Sequence, residues 1–272
     1  MPSDRLFIQP YPDRPQPDPR RRQGIHGPDA QPTAAAATPV LMRRLRAHTA
    51  AVHAATEALP LMRRVLTDHP SPAGYRGYLA AFHALYLAVE PALYAATPAQ
   101  LLTELGIAPK LPALQQDLRA LAAIAGGAPP LPPPGSCQAV RALLDLPDTT
   151  RGAAALGGLY VLEGATLGGQ VIARHLRAHW PAGVALPTAF LEFRLHHPGG
   201  GWRGFGVALA RWTARHPGSE RAILDGALGV FSMMHEALAA AELGATEAGP
   251  NRIADAPIKG PRRPVASTPG WP

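Results

Sequence analysis

Four side chains that could together hold an iron-containing ligand lie in the first hydrophobic segment. This segment reads LRAHTAAVHAATEALP from Leu45, and Thr49, His53 and Glu57 follow at intervals of four residues. In a helix that spacing places the three on one face. A neutral imidazole is a good axial ligand for haem iron, and a carboxylate one turn away can hold its second ring nitrogen. Arg46 lies two turns before His53, where its guanidinium could reach a propionate.

The first segment taken alone leaves two other interpretations open. The chain contains 11 histidines, and His48 lies in the same segment as a competing ligand. A histidine four residues before a glutamate is also a common surface pair. The segment therefore indicates an iron site only in combination with a second feature.

That second feature is a helical segment interrupted by glycines. Residues 157–172 read GGLYVLEGATLGGQVI, with apolar residues at helical spacing. An interior glycine costs a helix about 1 kcal/mol relative to alanine. Gly164, Gly168 and Gly169 are spaced four and one apart, so they could bare one face to a flat ligand. Close packing of two helices is the alternative explanation for these glycines. A phosphate-binding loop is not indicated, because the Lys-Ser/Thr pair that such a loop needs is absent here.

The remaining pattern predicts an all-α, single-domain helical bundle. No segment alternates as a strand would. We expect a folded domain over residues 40–243, flanked by disordered Pro/Arg-rich tails at 1–39 and 244–272. Helices are expected in a first segment reaching Met62, at 72–96 after the cap Ser71, at 111–125, at 148–179 with Asp148 or Thr149 as cap, at 202–215 and at 218–243.

Composition excludes several classes of protein. The net charge of +7 is too small and too dispersed to indicate nucleic acid binding. Cys137 is the single cysteine, so the chain can form neither an internal disulfide nor a cysteine-ligated cluster. The N-terminus lacks a secretory pattern, and the apolar run 152–162 is too short to span a bilayer. We therefore expect a cytoplasmic protein without membrane association.

Together the two segments resemble the haem oxygenases, particularly the bacterial biliverdin-forming kind. LRAHTAAVHAATE (45–57) is similar to that family's proximal helix, and YVLEGATLGGQVI (160–172) is similar to its glycine-rich distal helix. The resemblance extends over about residues 40–240. It implies a bundle in which haem is sandwiched between the proximal helix and the kinked distal helix.

The resemblance also implies roles for individual residues. His53 would be the metal ligand, Glu57 would orient it, and Gly164 and Gly168 would lie over the reacting face of the haem. The implied cofactor contacts also include Arg46, Thr49 and Gly169, with Arg203 or Arg211 facing the second propionate. Ala165 departs from the serine common in bacterial relatives, so no residue is assigned to a distal water.

The implied reaction converts haem b, both substrate and cofactor, to biliverdin, CO and Fe2+. It uses O2 and electrons from a ferredoxin or another reductase, because the chain has no flavin or nicotinamide motif of its own. Three alternatives remain: a haem carrier or sensor without turnover, a thiaminase-like enzyme using Cys137, and an inert helical scaffold. The first would contain the same histidine and glycines.

Overall fold

The computed structural model describes residues 38–125, 145–193 and 201–247. Within these ranges the chain is helical and contains no strand, which confirms the predicted fold class. The helices are α1 (Val40–Glu57), α2 (Pro60–Val65), α3 (Pro72–Ala95), α4 (Ala99–Leu105), α5 (Leu111–Ala125), α6 (Asp148–His179), α7 (Gly201–Arg215) and α8 (Glu220–Glu247). Cys137 and most of both predicted tails lie outside the described residues.

Helix ends follow local chemistry, with two differences from the sequence prediction. Ser71 caps α3 as predicted, its hydroxyl oxygen accepting the Gly74 amide at 3.0 Å. The first segment is not continuous to Met62, because Pro60 starts a separate helix after Glu57. The prediction that Asp148 or Thr149 caps α6 is wrong. Pro147 occupies that position without a side-chain bond, and Asp148 lies in the first turn, where a carboxylate favours the helix dipole.

Helix α8 forms the centre of the bundle and contacts α1, α3 and α6. It extends to Glu247, four residues beyond the predicted boundary. Its closest contact is with α6, where a Cβ atom on Gly226 would lie 2.1 Å from the carbonyl oxygen of Ala154. A Cβ atom on Gly157 would lie 1.9 Å from the carbonyl oxygen of Ile223. Glycine at these positions therefore lets the two backbones approach closely.

One described helix meets a length and composition test for a membrane span, namely α8 over Glu220–Ala241. Helices α3 and α4 meet that test only as a pair bent by 114°. The core helix of a bundle meets the same test, and α8 is packed on several sides by other helices. These features are weak support for membrane insertion.

Candidate functional site

The first helix lies along α8 in a parallel arrangement that fixes the direction of its histidines. Side chains of the two helices meet in the same order along both: Arg44 with Glu220, His48 with Asp225, His53 with Phe231 and Thr56 with His235. Leu41, Met42 and Leu45 are buried beneath this contact. Helix α1 is therefore held as a rigid support for the residues on its outer face.

His53 is the more accessible of the two candidate ligands. Its side chain is 49% exposed, and its Nδ1 atom lies 3.5 Å from a carboxylate oxygen of Glu57. Phe231 contacts the ring edge-on at 5.5 Å between centroids, while no described residue hydrogen-bonds Nε2. The Nε2 atom of His48 is buried, 4.0 Å from an oxygen of Asp225. The His53 side chain is therefore the more exposed of the two, whereas Nε2 of His48 is closed to a ligand.

The other two predicted residues of α1 differ in exposure. Arg46 is exposed, as a residue that meets a propionate would be. Thr49 is only 3% exposed, donates to the Leu45 carbonyl at 2.9 Å and hydrogen-bonds the side chain of Tyr160. Burial raises the pKa of Tyr160, while Thr49 and the Arg46 charge oppose that shift. Thr49 thus joins α1 to α6, and its cofactor contact stays a prediction.

The predicted distal glycines divide into two groups. A Cβ atom on Gly168 would have no neighbour within 4 Å, and one on Gly164 would meet only the Trp202 indole, at 3.5 Å. A Cβ atom on Gly169 would instead lie 2.9 Å from the carbonyl oxygen of Leu191. Gly164 and Gly168 therefore bare an open helix face, whereas Gly169 allows close packing against the chain near Leu191. The predicted haem contact of Gly169 has no such open face.

Two apolar side chains continue the open face of α6. Leu167 and Val171 are 37% and 40% exposed, respectively. They lie three and seven residues after Gly164, which places them on the same side of the helix. An exposed stripe of bare backbone and aliphatic side chains favours a flat, apolar ligand.

Helices α1 and α6 are positioned mainly through the helices that both of them contact. Helices α1 and α6 make little direct contact beyond Thr49 and Tyr160, and both pack on α8 and α7. The ring of Trp202, at the start of α7, lies 5.3 Å from the Tyr160 ring between centroids, and its edge borders the open face at Gly164. Arg203 follows it and is exposed, whereas Arg211 is exposed two turns further along α7. Arg203 is therefore nearer this end of α6.

Sequence reasoning missed Tyr160 and Trp202. Tyr160 occurs within the quoted distal segment, but its contact with α1 depends on the crossing of two helices distant in sequence. Trp202 lies in no recognisable motif, and the sequence gives no local signal that its ring borders α6. An aromatic side chain beside a bare helix face can act as a wall for a planar ligand.

This arrangement can hold a metal that arrives within a planar ligand. Among the described residues no group of three or more His, Cys, Asp or Glu side chains could hold a metal, so a metal bound by His53 would have to bring its other ligands with it. The open face of α6 offers no acidic or basic side chain among Gly164, Leu167, Gly168 and Val171. Chemistry at such a site would depend on the ligand's own reactivity and on the shape of the wall facing it.

Comparison with known proteins adds a family and a fold. The family model described as "Heme oxygenase" matches residues 40–240. A heme oxygenase of Xanthomonas campestris pv. campestris (strain 8004) is 37% identical over 131 residues, or 48% of this chain and 68% of that protein. The heme oxygenase of Leptospira interrogans has a TM-score of 0.55 at 22% identity, covering 74% of this chain and 98% of that one.

A second solved structure has a similar fold. It is heme oxygenase-1 from the cyanobacterium Synechocystis sp. PCC6803 in complex with heme, with a TM-score of 0.57 at 18% identity. The match covers 76% of this chain and 95% of that one. Both structures align with most of the helical bundle.

Proposed function

We propose that this chain, which belongs to the haem oxygenase family and is a haem-degrading enzyme, cleaves haem b to biliverdin, CO and Fe2+. The proposed iron ligand is His53, acting through Nε2. The observation that carries this assignment is the accessibility of that imidazole, 49% exposed with Glu57 at its other nitrogen, against the buried Nε2 of His48.

The chain's own residues hold the substrate and shape the space around it. A carboxylate oxygen of Glu57 lies 3.5 Å from Nδ1 of His53 and has no hydrogen-bond partner among the described residues, so it is available to hold the Nδ1 proton and leave the Nε2 lone pair for iron. Arg46 and Arg203 are exposed cations that would pair with the two propionates. Gly164 and Gly168 place no side chain toward the face of the haem that would lie opposite His53, so that O2 would have room to bind there. Bound haem supplies the redox chemistry with O2.

Electrons for this reaction must come from outside the chain. The sequence contains no flavin or nicotinamide motif, and the net charge is +7. We infer a ferredoxin or another reductase as the donor, since an acidic donor would be attracted to a basic enzyme. We also propose a cytoplasmic location.

The experiment that tests the ligand compares two histidine variants in hemin titrations. We expect His53→Ala to lose the histidine-ligated spectrum and His48→Ala to retain it, with an unchanged Soret maximum. Imidazole added to the His53→Ala complex should restore the spectrum, because it fills the space left by the side chain. Loss of the spectrum in His48→Ala alone would contradict the assignment.

A further inference from the structure

A row of buried charged side chains lies along one flank of α6, beside the open face. Glu90, Lys110, Asp117 and Glu163 are all buried, and they come from α3, the start of α5, α5 itself and α6. Buried charges are rare unless they are paired. Glu90 and Glu163 contact the N-terminal end of α5. Lys110 and Asp117 belong to that helix and its cap, and contact α6 and residues 189–190.

Lys110 makes the first contact with the distal helix. It is 1% exposed, and its ammonium group donates to a carboxylate oxygen of Glu163 and to the Ala108 carbonyl at 3.3 Å. The same ammonium lies 5.2 Å from the centre of the Phe193 ring. Glu163 directly precedes Gly164, so this ion pair fixes the backbone where the open face begins.

Asp117 makes the second contact, two turns along α5. Its two carboxylate oxygens accept the amides of Ala189 and Phe190 at 2.9 and 2.8 Å. These bonds hold the turn that brings the Leu191 backbone against Gly169. Asp117 therefore supports the place where the open face ends.

Helix α5 is itself anchored. Glu90 accepts the amides of Lys110 and Leu111 at 2.7 and 2.9 Å, which satisfies the first amides of α5 with a carboxylate. Burial raises the pKa of Glu90, while the two amide bonds oppose that shift. On the distal helix, the Tyr86 hydroxyl donates to the Leu162 carbonyl at 3.1 Å, just before Glu163.

We propose that Lys110 and Asp117 are positioning residues that fix residues 163–169 of α6 from one flank, and so set where Gly164 and Gly168 lie relative to bound haem. This proposal rests on the proposed function. A buried ion pair contributes little net stability compared with an apolar pair of similar volume. Its structural consequence is a fixed position: the Lys110 ammonium holds the Glu163 carboxylate, and with it the start of the open face, at one place.

The test uses the full chain and three variants. Lys110→Met removes the ammonium, and Lys110→Met with Glu163→Met replaces the pair by apolar side chains. Leu105→Ala is the matched control, because it removes buried atoms at the end of α4, where the neighbouring Glu104 pairs with Arg215 at the far end of α7 from Trp202. Amide hydrogen exchange of residues 162–169 is measured without haem. The pH midpoint of the ferric haem complex is measured by absorbance, together with the biliverdin isomers formed.

For Lys110→Met we expect exchange in residues 162–169 about tenfold faster than in the parent. The ferric midpoint should move by about half a pH unit or more, because the distal wall no longer holds its position over the iron. The double variant should regain stability but keep both changes. Leu105→Ala should lower stability while leaving the exchange of 162–169, the midpoint and the isomer pattern at parental values.

Two results would overturn the positioning role. One is a Lys110→Met protein with parental exchange, midpoint and isomers. The other is a double variant that recovers all three, which would make charge imbalance the cause. Failure of the parent to bind hemin would instead contradict the proposed function. The exchange measurement without haem would still test whether the Lys110–Glu163 ion pair holds residues 162–169.

Discussion

Glycines in and beside α6 occur in two surroundings that sequence alone does not separate. At the crossing of α6 and α8, Cβ atoms on Gly157 and Gly226 would lie 1.9 and 2.1 Å from backbone oxygens of the other helix. Two turns further along α6, Gly164 and Gly168 face open space or the edge of an indole. The first pair brings helices together, whereas the second keeps a surface clear.

The difference shows what each glycine is for. Packing explains the crossing glycines completely, because any side chain there would displace a helix. It does not explain Gly164 and Gly168, where the fold leaves room for a methyl group and the helix would gain stability from alanine. Under the proposed function, a planar substrate against the open face would account for those two glycines.

The largest effect is expected at the crossing. Gly226→Ala should lower the free energy of unfolding by about 3 kcal/mol or prevent folding, since its Cβ atom cannot fit beside the Ala154 carbonyl. Gly229→Ala is the control on the same helix, because a Cβ atom there has no neighbour within 4 Å. Urea denaturation followed by circular dichroism checks both. Equal stability of the two variants would remove the distinction between packed and open glycines.

The next effect concerns chemistry without loss of fold. Gly164→Ala should fold normally and bind haem through His53, because its Cβ atom would meet Trp202 at 3.5 Å, an ordinary contact. Its methyl group would then intrude where O2 must bind, so biliverdin formed per electron consumed should fall about tenfold. The measurement compares biliverdin absorbance with reductant used, at haem loading equal to that of the parent. An unchanged yield with a lowered melting temperature would return Gly164 to the packing group.

The smallest effect is expected at Gly168. Because its Cβ position is empty, Gly168→Ala should raise the free energy of unfolding of the haem-free protein by about 1 kcal/mol, the usual difference in helix propensity. Haem affinity should nevertheless decrease, as the substrate loses contact with bare backbone. Gly229→Ala should show the same gain in stability with unchanged affinity. A Gly168→Ala protein that binds haem as the parent does would place the substrate elsewhere.

Local signals in the sequence predicted most of the helices. Ser71-Pro72 correctly predicts the start of α3. Pro60 indicates the break after Glu57, but the apolar spacing on both sides of it predicted one continuous segment. The N-terminus of α6 was harder to predict, because Asp148 has the right chemistry for a cap but lies one position inside the helix. Caps depend on backbone angles that composition alone does not determine.

The candidate site was only partly predictable, for a physical reason. The four-residue spacing of His53 and Glu57 is a local property of one helix, and the structure shows them 3.5 Å apart. Whether Thr49 or Gly169 faces a ligand depends on which other element covers it, and Tyr160 and Leu191 are distant in sequence. Lys110 is one of only two lysines in an arginine-rich chain, yet no local pattern indicates its pairing with Glu163.

We propose that the open face of α6 and the imidazole of His53 enclose haem for degradation and not for storage. The most direct test adds hemin to the full chain and then supplies electrons from ascorbate or from a ferredoxin with its reductase. We expect the Soret band to form on binding and to disappear during reduction in air, with biliverdin and CO as products. A Soret band that persists under the same electron supply would show a haem carrier or sensor and contradict the account.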